Sequence, residues 1–172
     1  RKSMSETLTE NNVAEFIKRF AEAYERADET FFETFAKDAS FFPLTSPVRV
    51  DNTDEYRHAF ERDFKAGRDR RTQILSPAIR LLGDTAALVT YHNRIRVNGI
   101  TSNNRISMVI ELIDGDIKAS HMHVSPMNPE QSVSGIASKS LGAIPANFSS
   151  PTEISVLEER VATAIGAVGT PK

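Results

Sequence analysis

Apolar positions recur at helical spacing from Asn12 to Ala27, where Val13, Phe16, Ile17, Phe20 and Tyr24 share one face and Asn12 with Glu15 forms a capping-box pattern. A short second helix is expected over Glu29 to Ala36, after which Phe41, Phe42 and Pro43 suit an edge strand or a bend. A third helix is expected from Thr53 to Ala66, with Thr53 as its N-cap, Gly67 as its stop, and Tyr56, Phe60 and Phe64 along one side. The pattern then changes to strands. Thr72 to Leu82 ends at Gly83-Asp84, Ala86 to Val97 at Asn98-Gly99, Ser107 to Ile113 at Asp114-Gly115, and Ile117 to Ser125 at Pro126. Four strands joined by Gly/Asp turns predict an antiparallel meander.

Helices first and a long sheet afterwards argue for an α+β fold, with a curved antiparallel sheet packed against N-terminal helices. The expected domain covers residues 12–128. Residues 129–149, rich in Ser, Gly, Ala and Pro, read as a linker or strapped loop. In 150–166, Ser150-Pro151-Thr152-Glu153 opens a C-terminal amphipathic helix that carries Ile154, Leu157, Val161 and Ile165. Such a helix has a face to bury, on its own domain or on a neighbour.

Composition narrows the functional classes. The 21 basic and 23 acidic residues give a net charge of -2 without long blocks of either sign, so neither nucleic acid nor an anionic membrane is an expected partner. The cluster Arg68, Arg70 and Arg71 is interrupted by Asp69 and reads as solvated loop beside a strand. The lack of cysteine excludes disulfides, thiolate nucleophiles and cysteine-based zinc sites. No apolar run approaches a membrane span, and Arg1-Lys2-Ser3-Met4 lacks the apolar core of a signal peptide; Met4 points to a leader or tag before it.

Residues two apart on a strand share a face, so His121, His123 and Ser125 project together and offer a general base, a donor and an orienting hydroxyl. Anchoring of a sheet edge or a subunit contact is the alternative role. The two imidazoles could reach one ion, but His92 falls on the face opposite Tyr91 and His58 on the polar side of a helix. No third ligand emerges, so neither a metal nor another cofactor is expected. Tyr91 and Asn93 share another strand face, with His92, Arg94 and Arg96 opposite them. Leu88, Ile95 and Val97 make the sheet too apolar for both faces to be wet, which predicts a homo-oligomer.

The run from Thr72 through Ser76-Pro77 to Gly83-Asp84 and on to Tyr91 resembles the association domain of calcium/calmodulin-dependent protein kinase II, within the nuclear transport factor 2-like superfamily. So does Asp114-Gly115 followed by the His-x-His-x-Ser strand end at His121, His123 and Ser125. This resemblance implies a cone-shaped sheet with a pocket inside, assembly through the sheet, and a small polar ligand. The arginines of the related pocket fall on Asn93 and Met108. Ligand-binding candidates are accordingly Tyr91, Asn93, Gln73 and Met108.

The strand from His121 to Asn128 also resembles the one that ends in His-His-His-Ser-Ser-x-Met-Pro in iota-class carbonic anhydrases, matching at both outer histidines, one serine and the methionine. That likeness implies a metal-free lyase that holds bicarbonate with Tyr91, Ser125 and a threonine position falling on Thr72 or Gln73, and makes His121, His123, Ser125 and Tyr91 the catalytic candidates. Steroid isomerases and polyketide cyclases on this architecture need a carboxylate inside the cone; Ile110 and Leu112 in alternation turn Glu111 outward. The leading expectation is a homo-oligomerising domain with a polar small-molecule pocket, and the lyase is its alternative.

Overall fold

In the computed structural model, which describes residues 7–44 and 46–127, three helices pack on the concave side of a five-stranded sheet. Helix α1 spans Glu10–Arg26 and begins half a turn before the expected start. The Thr9 hydroxyl accepts from the Asn12 backbone N–H at 3.2 Å, and the Asn12 side chain accepts from the Thr9 N–H at 2.8 Å. Asn12 is thus the third helical residue of the capping box, not its cap. Helix α2 is a single turn, Thr30–Glu33, followed directly by β1, Phe35–Phe42. Helix α3 is Thr53–Lys65, capped by Asn52, whose side chain accepts from the Glu55 N–H at 2.9 Å. Thr53, the expected cap, is buried instead, and its hydroxyl donates to the Ala36 carbonyl at 2.6 Å.

The remaining strands are β2 (Arg70–Leu81), β3 (Ala86–Val97), β4 (Ile100–Ile113) and β5 (Asp116–Pro126). They form the expected antiparallel meander, but β1 adds a fifth strand parallel to β5, giving the order β1-β5-β4-β3-β2. Strand β4 is longer than expected. The Asn98-Gly99 turn, with φ of 48° and 82°, is the two-residue kind that joins strands without splaying them, and it sets Val97 opposite Ile100. Pairing therefore continues through the polar stretch Thr101 to Arg105, where Asn103 and Asn104 are both buried. Strand β2 is interrupted by a bulge at Ser76, whose φ is 48°, beside Pro77. A second irregularity lies in β5 at Ser120, between the pairs Val109–His121 and Ile110–Ala119.

Aromatic rings join the helices to the sheet. Phe31 meets Phe20, Phe35 and Phe64 at centroid distances of 5.2 to 5.6 Å, and Tyr56 stacks on Phe41 at 4.0 Å. Arg70 enters this apolar setting with its side chain fully buried, contrary to the solvated loop expected of it. Its guanidinium lies 4.9 Å from the Phe64 ring centre and pairs with the Asp63 carboxylate. It also donates to the carbonyls of Asp63 and Arg68 at 3.1 and 3.2 Å. The expected segments 129–149 and 150–166 lie outside the described residues. No described helix is long and apolar enough to cross a membrane.

The Arg70 pair makes a test of stability. Asp63→Ala leaves a buried cation without its counter-charge and is expected to lower unfolding free energy by about 3 kcal/mol or more. Adding Arg70→Met to Asp63→Ala is expected to restore part of that loss, both measured by urea denaturation.

Candidate functional site

Strand alternation determines which side chains enter the cone. On β3, Val89, Tyr91 and Asn93 are buried and face the helices, while Thr90, His92 and Arg94 face outward. Cross-strand pairs share a face, so Ile106 opposite Tyr91 and Val124 opposite Ile106 also point inward. By the same rule Ser107 and its partner His123 point outward. The structure therefore divides the catalytic group expected from the sequence. His121, His123 and Ser125 do share one face, but it is the outer face of the sheet, whereas Tyr91 is inside the cone.

The ligand candidates divide too. Tyr91 and Asn93 line a cavity of about 220 Å³ between α1, α3 and the sheet. Met108 is fully buried beside it, and the Tyr91 hydroxyl donates to its Sδ at 3.7 Å. Gln73 is exposed on the outer face opposite Arg94, while its neighbour Thr72 points into the cavity. Thr72 is held there by its backbone N–H, which donates to the Glu25 carboxylate of α1 at 2.7 Å. Most of the lining is apolar or aromatic, from Phe20, Phe60, Ile74, Ile95 and Met122 among others. The expected polar pocket is thus an apolar one with a few polar groups. Ile95 and Val97, expected with Leu88 to leave the sheet too apolar for two wet faces, line the cavity.

Among the described residues, no lysine, arginine, histidine, aspartate or glutamate lines this cavity. Its ionisable groups are three tyrosines, Tyr24, Tyr56 and Tyr91, and burial pushes each phenol above its ordinary range. All three stay protonated at neutral pH and serve as hydroxyl groups, not bases. Two polar atoms of lining residues, the Thr72 Oγ1 and the Asn93 Oδ1, are buried and have no hydrogen-bond partner among the described residues. Leu44, exposed and also lining the cavity, marks its opening.

On the outer face, His121 Nδ1 shares a 2.8 Å hydrogen bond with Ser40 Oγ on β1. Ser40 was missed in the sequence because only the parallel pairing of β1 with β5 sets it opposite His121. Phe42, the next outward residue of β1, contacts both imidazoles, with centroid distances of 5.9 Å to His121 and 5.4 Å to His123. Partial burial, then the neighbouring His123, hold His121 below the ordinary imidazole range. No group of three or more potential metal ligands occurs among the described residues.

Residues 13–129 match the family model described as the SnoaL-like domain. Several solved structures are similar. A nuclear transport factor 2-like protein from Pseudomonas putida KT2440 superposes with a TM-score of 0.63 at 17% identity, covering 70% of this chain and 89% of its own. The CaMKII hub homology domain of Chlamydomonas reinhardtii gives 0.59 at 21% identity, covering 69% and 97%. The association domain of C. elegans CaMKII gives 0.56 at 19% identity, covering 67% and 93%. At these identities the likeness establishes the fold. No curated protein matches the chain in sequence.

The state of His121 sets a pH dependence. Because its folded value is depressed, the unfolded chain takes up this proton first, so the contribution of His121 to stability is complete above the ordinary imidazole value of about 6.5 and is lost as pH falls below it. The urea midpoint of the parent is expected to drop more between pH 7.5 and 5.5 than that of His121→Gln. Equal drops in the two proteins would show that His121 is not the group responsible.

Proposed function

The chain belongs to the SnoaL-like domain family, and from that premise we propose that its cone is a binding cavity for a small, mainly apolar molecule. The observation that carries this reading is the cavity lining itself, in which aromatic and aliphatic side chains surround Thr72, Tyr91 and Asn93 as its inward polar groups on β2 and β3. Concave apolar sites with a few convergent polar groups are the usual form of small-molecule sites. The described lining offers contact area and hydrogen bonds, and among its residues none is suited to accept a proton at neutral pH. A bicarbonate lyase would need Tyr91 to act together with Ser125, and the sheet stands between them. Binding is therefore the better reading of this cone.

Self-association is the second part of the proposal. Two of the similar structures are named as a hub homology domain and an association domain. The outer face here sets Leu88 against Val109 across β3 and β4, in the same row as His121 and Ser40, with Phe42 beside them at 43% exposure. An outer face that carries Leu88, Val109 and Phe42 among polar groups favours burial against a second copy.

Benzene is the simplest probe of the cavity, since an apolar cavity of about 150 Å³ already accommodates it. It is expected to raise the thermal midpoint of the parent in a concentration-dependent way and to leave that of the cavity-filling variant Ile95→Phe unchanged. No shift in the parent at saturating benzene would remove the cavity reading. Sedimentation tests the association: the parent is expected to be a dimer or larger at tens of micromolar, and Leu88→Glu with Val109→Glu to shift it toward monomer. A parent that sediments only as monomer rejects that part.

A further inference from the structure

The Asn93 Oδ1 and Thr72 Oγ1 atoms narrow the kind of molecule the cone accepts, and the argument here rests on the cavity reading above. Thr72 pairs with Ile95, and Asn93 pairs with Ile74, so the two residues are diagonal neighbours on the inner face of β2 and β3. Diagonal neighbours of this kind stand about 7 to 8 Å apart at their backbones, within reach of one small polar group or of two on one edge of a ligand. Both atoms are buried and without a partner among the described residues, and Asn93 is only 7% exposed. The amide oxygen accepts; the hydroxyl can donate or accept. Buried polar atoms are ordinarily paired, and leaving one unpaired is costly. Two such atoms on neighbouring residues that both line the cavity give its apolar wall a hydrogen-bonding edge.

We infer that the cone selects an uncharged ring compound bearing a hydroxyl group, with the ring among the aromatic side chains and the hydroxyl between Asn93 and Thr72. The hydroxyl donates to Asn93 Oδ1 and accepts from the Thr72 hydroxyl, so one group of the ligand satisfies both atoms. A carbonyl answers only Thr72, and a hydrocarbon answers neither. A carboxylate is excluded for a different reason. No cation lines the cavity among the described residues, Asn93 presents an oxygen, and burying an unpaired charge against apolar walls is strongly unfavourable. Arg70, the buried cation at the start of β2, is already neutralised by Asp63 and is not among the lining residues. The volume of about 220 Å³ exceeds the roughly 150 Å³ that holds benzene, so a substituted single ring fits.

The test compares three probes of nearly one size, phenol, toluene and benzoate, by calorimetric or NMR titration of the whole chain. Phenol is expected to bind about tenfold more tightly than toluene, the scale of one net hydrogen bond with the water it replaces already counted. Benzoate is expected not to bind in the same concentration range. The phenol preference is expected to shrink in Thr72→Val and to disappear in Asn93→Leu, while toluene binds both variants at least as well as the parent. Equal binding of phenol and toluene to the parent would overturn the inference and leave the apolar cavity standing. Binding of benzoate as tight as phenol would overturn the claim of neutrality. Failure of all three to bind would remove the cavity reading and this inference together. The comparison on the parent decides the matter even if a variant fails to fold.

Discussion

The register of the two hairpins, set at Asn98-Gly99 and Asp114-Gly115, governs the rest of the domain. Once Val97 faces Ile100 and Ile113 faces Asp116, each side chain of β3, β4 and β5 is assigned to the inside or the outside of the cone. A slip of one residue would turn Tyr91, Ile106 and Val124 to the outside and bring Arg105, His92 and Ser125 into the core. Burial of a charged guanidinium there, with no carboxylate opposite, would oppose the slip strongly. Left-handed backbone at Asn98, Gly99, Asp114 and Gly115 is thus the local feature on which both surfaces depend.

Given that register, the helices have a fixed task. They must cover a concave apolar face without filling it. Large rings do this by touching edge to face around Phe31 and Phe35, while Tyr56 stacks flat on Phe41 and links α3 to β1. At the opposite border of the sheet the Glu25 carboxylate holds the Thr72 backbone, and Arg70 is held between Asp63 and the rings of Phe64 and Tyr24. These polar clasps secure the margins where α1 and α3 meet β2. The space between remains open because its walls are braced from both sides.

Much of this was legible in the sequence, because periodicity reports the face of a single element directly. The buried side of α1 and the shared inward face of Tyr91 and Asn93 follow from spacing alone, as does the outward turn of Arg94 and Arg96. Relations between elements were less accessible. Placing Tyr91 with His121 and His123 required the phase of β5 relative to β3, which depends on two turns and on the extra residue at Ser120. A signal is nevertheless present: Met122 and Val124 alternate with the histidines and Ser125, and the apolar set marks the inward face. The start of β4 was hidden by its polar composition, and Ser40 by the distance in sequence between β1 and its parallel partner. Thr72 and Gln73 could not be told apart until the pairing with β3 put one inside and the other outside.

The bulge at Ser76 and the adjoining Pro77 have a consequence for how far the sheet can grow. Strand β2 is the last in the ladder, and an edge that is straight and fully furnished with donors invites another chain to add itself. Here the bulge bends the ladder in mid-strand and proline withholds a donor beside it. At the far border, β1 has the backbone of Val50 bonded in both directions to Phe41, at 2.8 and 2.9 Å. Growth by strand addition is thereby hindered at both ends, which protects the domain against open-ended fibrous stacking.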